Sequence, residues 1–439
     1  MKVQKFGGTS VGSPARMKEV ASLIEKNSSS LVVLSAMSGT TNALLEISDY
    51  YRKGNKDSAS ALISQLRSKY MAHINELYKS EEYKKRTALF LDKIFENLLC
   101  YGKGEFTEKT EKAIVSNGEI MSTNMMTNYM QEQGVKVELL SAFDFMRLDE
   151  SGEPDLGYLR AHLTPLLQAH KDTPYFITQG FICLNAEGEI DNFQRGGSDY
   201  TASLIGAAIK ADVIEIWTDI DGMHNNDPRF VDGTQPVEQL HFEEAAELAY
   251  FGAKILHPTC VQPAKAAGVP VRLLNTMDPK AHGTVIDSHF RANEIKAVAA
   301  KDNITAVKIV SSRMLLQTGF LRKVFEIFET FHTSIDMVTT SEVGVSMSID
   351  NTDYLASIVD ELKKYGTVEI DRNMCIICVV GDLRPHNVGF ESKITNALRE
   401  IPIRMISYGG SDHNISFLIS EEDKQRALRA LSSEIFLQS

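Results

Sequence analysis

The chain has 439 residues, 43% of them hydrophobic and 24% charged, with a formal net charge of −12. That length predicts about two to four domains with a large core, and the acidic balance excludes a general nucleic-acid or anionic-membrane surface. No run approaches the roughly 18 apolar residues of a membrane span and the N-terminus lacks a signal-peptide apolar stretch, so a cytoplasmic protein is expected.

A short apolar strand over residues 3–6 opens the chain and runs into Lys5-Phe6-Gly7-Gly8-Thr9-Ser10-Val11-Gly12. Gly7 and Gly8 allow close backbone approach and positive φ, so that successive N–H groups can face an anion. The helix expected next, with Met17, Val20, Ala21 and Ile24 on one face, adds its positive end. Lysine, glycine turn and helix suit a phosphate, but lysine precedes the glycines, unlike a P-loop. A plain strand-to-helix connection would look the same.

To about residue 290, apolar runs at 3–6, 31–34, 135–140, 175–178, 213–218 and 269–274 alternate with helical stretches. Alternation of this kind predicts a largely parallel sheet covered by helices. A long helical insert spans roughly 42–130 and breaks at Gly102-Lys103-Gly104, and residues 183–191 read as a hairpin. The five cysteines are scattered and odd in number, which fits free thiols. Cys375 and Cys378 match a C-x-x-C spacing but lie in an apolar run, where a buried strand is the simpler reading.

Further segments of the first domain carry chemistry. Ser35 to Asn42 leaves the second strand with hydroxyls and N–H groups at a sheet's carboxyl edge, where ligands bind; capping by Thr41 or Asn42 is the plain alternative. Glu119 follows Asn117-Gly118 ahead of a Met-rich helix, where a helix start favours a carboxylate anyway. In Gln194-Arg195-Gly196-Gly197-Ser198-Asp199, the arginine offers a fork for a carboxylate or phosphate beside a helix start, while Asp199 could cap that helix. Thr218-Asp219 closes another strand, followed by a polar loop reaching Arg229. Lys254 gives a second lysine, and His257 before Pro258 reads as a turn residue. No nucleophile–base pair stands out; charge neutralisation and positioning suit phosphoryl transfer.

Beyond residue 290 the chain repeats itself. Shifted by 70 residues, Val310, Gly319, Phe320, Ser341, Ser346 and Ile349 fall on Val380, Gly389, Phe390, Ser411, Ser416 and Ile419. Helix faces also agree: Phe320, Val324, Ile327, Phe328 and Phe331 in one copy, Phe390, Ile394, Leu398 and Ile401 in the other. Two tandem βαββαβ units are predicted.

Together these motifs resemble the aspartate kinases of the amino-acid kinase family, over nearly the whole chain. The resemblance implies an amino-acid kinase α/β domain over 1–290, then two ferredoxin-like ACT domains over 291–370 and 371–439, with strands exchanged between them. It implies transfer of the γ-phosphoryl group of MgATP to the side-chain carboxylate of L-aspartate, giving 4-phospho-L-aspartate for lysine, threonine, methionine and diaminopimelate synthesis. By motif, Arg195 would clamp the substrate α-carboxylate and Glu119 would face its ammonium. Ser35, Thr41 and Ser198 would line that pocket, with Asp199 orienting the ammonium end. Lys5, Gly7 and Gly8 would neutralise the phosphoryl group in flight, assisted by Lys254. Phe6, Thr218, Asp219, His224, Arg229 and Ile255 would complete the nucleotide site. Magnesium is implied only with ATP, and no side chain is assigned to it.

Gln194 and His224 depart from the family's usual glycine and tyrosine. For regulation, Met314, Gly319, Phe320, Leu321, Asp336, Thr340, Ser341 and Glu342 resemble the lysine-sensitive form, although Leu316 and Gln317 differ from it. A lysine effector and a homodimer through the ACT domains are therefore expected, without a fused homoserine dehydrogenase half. Two other readings remain open: a family member acting on glutamate or a nucleotide, and a non-catalytic amino-acid sensor.

Overall fold

The computed structural model describes residues 1–26, 29–193, 196–252, 256–314, 318–384 and 386–436. The chain divides into two compact units, Met1–Gly222 with Ile255–Ser288, and Met223–Lys254 with His289–Ser439. No helix among the described residues is long and apolar enough to cross a membrane.

The first unit runs β1 (Lys2–Phe6), α1 (Pro14–Glu25), β2 (Ser30–Leu34), α2 (Thr40–Arg52), α3 (Lys56–Leu77), α4 (Glu81–Tyr101), α5 (Glu108–Glu132), β3 (Val137–Leu140), α6 (Leu156–Ala169), β4 (Tyr175–Gln179), β5 (Ile182–Leu184), β6 (Ile190–Asn192), α7 (Gly197–Ile209) and β7 (Ile214–Thr218). After β8 (Gln239–His241) and α8 (Phe242–Tyr250), which belong to the second unit, it resumes with α9 (Pro258–Ala267), β9 (Val271–Asn275) and β10 (Thr284–Asp287). The expected alternation takes the form of parallel strands in the order β3-β4-β2-β1-β7-β9, with β10 antiparallel on β9. Every residue of β2 is buried, as a strand covered on both faces requires. β1 sits where the chain order reverses, with Lys5 in register with Val33 of β2 and Ile216 of β7. The carboxyl ends of β1, β2 and β7 therefore line the crevice in which open α/β sheets take their ligands.

The helical insert is α2 to α5, broken after Tyr101 where the glycine pair was expected to break it. The hairpin is β5 with β6. One expectation fails here: α5 does not start near Glu119 but runs unbroken through Asn117-Gly118. Glycine costs about 1 kcal/mol inside a helix, and close packing offsets it, since a Cβ on Gly118 would stand 2.8 Å from the Ala36 Cβ. The true start of α5 is a capping box, in which Thr107 Oγ1 accepts from Thr110 N–H at 3.2 Å and Thr110 Oγ1 accepts from Thr107 N–H at 3.3 Å. Thr107→Ala should cost about 1 kcal/mol, read as a fall of about 2 °C in thermal midpoint.

The second unit adds β11 (Ile295–Val310), α10 (Phe320–Thr330), β12 (Met337–Thr340), β13 (Gly344–Ile349), α11 (Leu355–Lys363), β14 (Thr367–Gly381), α12 (Phe390–Ala397), β15 (Ile403–Tyr408), β16 (Asn414–Ser420) and α13 (Lys424–Ile435). The order of elements repeats as the sequence repeat implies, but the copies do not form separate sheets. They share one sheet, ordered β12-β13-β11-β14-β16-β15. The long strands β11 and β14 pair from Ile295 opposite Gly381 to Val310 opposite Thr367, so each serves both copies. Phe320, Val324, Phe328, Ile358 and Leu362 form one core on this sheet, and Ile394, Leu398, Phe417, Leu428 and Leu431 another. Cys375 and Cys378 are fully buried in β14, as the buried-strand reading expects, and burial pushes both thiols up.

Candidate active site

Lys5 ends the central strand with its side chain 11% exposed, and its Nζ lies 2.6 Å from Asp199 Oδ1. Two elements far apart in sequence thus meet at the carboxyl edge of the sheet. Asp199 does not cap α7; that position is Gly196, in the left-handed region at φ 70°. The aspartate is left free to hold the lysine. Neither Gly7 nor Gly8 takes positive φ, contrary to expectation. Gly8 is required for space instead, because a Cβ there would stand 2.9 Å from the Ala36 carbonyl. The Gly8 and Thr9 N–H groups have no protein acceptor among the described residues, whereas Ser10 and Val11 N–H groups donate to the Gly7 carbonyl at 3.0 and 3.2 Å.

The same turn at the end of β2 links the remaining groups. Ser35 Oγ donates to Ser198 Oγ at 2.9 Å, one residue from Asp199. Ala36 N–H donates to Glu119 Oε1 at 3.0 Å, and Ser122 Oγ donates to the Ser35 carbonyl at 2.8 Å. Glu119 is 3% exposed, and its Oε2 is buried without a partner among the described residues. Burial pushes its carboxyl up to about 7, with the Ala36 N–H pulling the other way. Thr41 stands partly exposed in the first turn of α2, which begins at Thr40 behind a left-handed Gly39, so neither Thr41 nor Asn42 is the cap. Lys5, Ser35, Glu119, Ser198 and Asp199 therefore form one linked set.

On the other side of β1, Phe6 stacks on Trp217 at 5.7 Å between centroids, and Gly7 N–H points to the Trp217 carbonyl at 3.4 Å. Thr218 Oγ1 donates to Asp219 Oδ1 at 3.2 Å, and the Thr218 carbonyl accepts from Thr276 Oγ1 at 2.5 Å. His224 and Arg229 lie in the second unit. There His224 Nδ1 pairs with Thr234 Oγ1 at 2.9 Å, and Arg229 holds Asp227 in a fork, Nε–Oδ1 2.9 Å and Nη2–Oδ2 2.6 Å. Gln194, Arg195, Lys254 and Ile255 lie outside the described residues.

Residues 1–275 match the amino acid kinase family, and residues 377–435 match an ACT domain. The chain is 34% identical to the chloroplastic aspartokinase 2 of Arabidopsis thaliana, over 99% of this chain and 84% of that one. The chain belongs to the aspartokinase family. E. coli aspartokinase III, solved with aspartate and ADP in its R-state, superposes with a TM-score of 0.85 at 31% identity, covering 99% of this chain and 100% of that one. The same enzyme with lysine and aspartate in its T-state gives a TM-score of 0.81 at 32% identity, over 99% of each chain.

The residues that the resemblance gives to an effector are spread along the first ACT copy, with Asp336 before one end of β12 and Thr340 and Ser341 at the other. Met314 closes a short 3₁₀ turn, and left-handed Gly319 (φ 83°) starts α10. Phe320 is packed into the core and Leu321 is exposed. Thr340 ends β12, Ser341 N–H donates to the Gly344 carbonyl at 2.8 Å, and Glu342 is exposed. Asp336 is 1% exposed and already engaged: Tyr250 Oη donates to its Oδ1 at 2.6 Å, and Lys301 Nζ lies 2.7 Å from that oxygen and 2.8 Å from Asp350. Leu316 and Gln317 lie outside the described residues.

Sequence reasoning missed Ser122, Thr276 and the part that Ala36 plays. Ser122 sits one helical turn after Glu119, so the i, i+3 spacing on a shared face was the available signal. Nothing in the sequence marked Thr276, whose hydroxyl also lies 2.7 Å from Ser10 Oγ.

Proposed function

We propose that this aspartokinase uses the pocket at the ends of β1, β2 and β7 to transfer the γ-phosphoryl group of MgATP to the side-chain carboxylate of L-aspartate. What supports the assignment of the site is above all the buried, unpartnered Glu119 Oε2 on one linked set with the Lys5–Asp199 pair. An orphaned carboxylate oxygen calls for a cation, here the substrate ammonium; a lysine beside free N–H groups calls for an anion. One carboxylate oxygen of aspartate attacks the γ-phosphorus. The bond from that phosphorus to the bridging oxygen breaks, its electron pair leaves with ADP, and the acyl phosphate forms without a proton changing hands.

Attacking carboxylate and triphosphate repel each other, so Lys5 and the Gly8 and Thr9 N–H groups offset charge that peaks during transfer. Asp199 positions the Lys5 ammonium. Ser35, Ser198 and Thr41 line the aspartate pocket, and Arg195, by family resemblance, clamps the α-carboxylate. Phe6, Thr218, Asp219 and Ile255 of the first unit are assigned to the nucleotide by family resemblance. The catalytic domain is assigned to 1–290 and the ACT copies to 291–370 and 371–439, with β11 and β14 exchanged between them. Lysine is the feedback effector, acting at Met314, residues 319–321, Asp336, Thr340, Ser341 and Glu342. The protein works in the cytoplasm as a homodimer through its ACT domains.

Hydroxylamine trapping of the acyl phosphate tests this reading. Hydroxamate should form from aspartate and ATP but not from glutamate, and UMP should not stimulate ATP consumption. Lysine should suppress the signal, and threonine alone should not. Hydroxamate formed from glutamate in place of aspartate would overturn the substrate assignment.

A further inference from the structure

A cluster within the second unit takes no part in that chemistry. His241 caps α8, Glu243 follows in its first turn, and His413 lies in the turn between β15 and β16. Glu243 Oε2 stands 2.7 Å from His413 Nε2 and 3.8 Å from His241 Nδ1, and one ligand atom from each residue lies within 4.8 Å of the others. Zinc bonds to imidazole nitrogen and carboxylate oxygen are about 2.0–2.2 Å, so donor atoms around a tetrahedral ion lie roughly 3.3 Å apart. The two observed separations straddle that value.

We propose that His241, Glu243 and His413 form a binding site for a borderline first-row divalent cation such as zinc, with a fourth position open to water. An ordinary ion pair between Glu243 and His413 accounts for one contact and the helix cap for the place of His241, but neither requires all three donor atoms to converge within 4.8 Å. The imidazoles of His241 and His413 stack at 5.7 Å with 24° between planes, and Phe290 stands edge-on to both. Two protonated imidazoles would repel in that position, whereas two neutral ones can share a cation. His241 Nδ1 accepts from Glu243 N–H at 3.3 Å, so a cation bound at that nitrogen would take the place of this long cap bond.

His413 Nδ1 and Glu244 Oε1 are both buried and unpartnered among the described residues. A histidine bound through Nε2 carries its proton on Nδ1, and the buried His413 Nδ1 has no protein acceptor among the described residues. The cap of α8 does not depend on the imidazole alone, because His241 N–H also donates to Glu244 Oε2 at 2.8 Å. Glu243 is 45% exposed, which gives an ion an entry path. A bound cation would fasten α8 to the second ACT copy.

The test uses the full-length protein, stripped with a chelator and titrated with zinc alone at pH 7.5 against a chromophoric competitor. One tight zinc per chain is expected, together with a zinc-dependent rise in thermal midpoint. His413→Ala should weaken binding at least about tenfold and abolish the midpoint shift. His241→Asn should do the same while retaining a capping side chain, so loss of binding cannot be ascribed to loss of the helix start. Zinc binding that survives unchanged in the double variant, or no binding above that of a histidine-poor control protein, would overturn the site.

Discussion

Lys5→Ala should lower turnover about a hundredfold or more while the protein stays folded. The lysine ends a central strand, is 11% exposed, and is held at 2.6 Å by Asp199, so its ammonium is fixed before substrate arrives. Removing one preorganised donor to developing charge costs roughly 2.7–4 kcal/mol in the transition state. The loss should fall on kcat more than on the KM for aspartate, because the group matters most during transfer. Asp199→Asn should cost less, about tenfold, since the ammonium remains but loses its orientation. The double variant separates the roles: removing the lysine leaves the aspartate unpaired, so Lys5→Ala with Asp199→Asn should regain stability without regaining turnover. Turnover near normal in Lys5→Ala would remove Lys5 from the site.

Glu119→Gln should move substrate affinity and stability in opposite directions. The Glu119 carboxyl is pushed up to about 7 by burial, and the substrate ammonium needs the ionised form. The KM for aspartate should therefore rise about tenfold per pH unit below about 7 and level off above it. The variant should show a KM roughly 10–100-fold higher at pH 8, the range for losing a hydrogen bond to a charged group, with no slope near 7. The stability sign is the reverse of the usual carboxylate case. With the folded value above the unfolded value of 4.5, the folded protein binds the proton more tightly. This contribution is favourable below about 4.5 and is lost as pH rises through 7. The empty Glu119→Gln protein should thus melt higher than the parent at pH 8. A variant with unchanged KM, or one that melts lower at pH 8, would count against a buried anion waiting for a cation.

Much of this was legible in the chain itself because apolar runs and glycine turns are local signals. The six runs of the first domain all became strands, and the Gly-Phe repeat marked both ACT helices. What eluded the sequence depended on tertiary contact. Gly118 looked like a helix boundary, yet it lies inside α5 because the Ala36 turn presses on it. Gly8 looked like a positive-φ residue, yet crowding by the Ala36 carbonyl explains it. Asp199 looked like a cap, and its partner turned out to be a lysine on the distant strand β1. In each case the residue type was informative, and the neighbour that explained it lay far away along the chain.

The shared strands of the regulatory sheet have a mechanical consequence. β11 has 16 residues and β14 has 15, so at about 3.3 Å per residue each spans roughly 50 Å, with an irregularity near its middle where Asn303 and Asn373 take positive φ. A duplicated module would ordinarily be two bodies joined by a hinge, able to move apart. Here the second half of β11 lies in one copy's sheet and its first half in the other copy's, within a single strand. Displacement in one copy reaches the other through the covalent chain of both strands, across the irregularity in their ladder. Neither copy can be cut away without stripping its twin of a central strand, so the pair has to fold, and be inherited, as one piece.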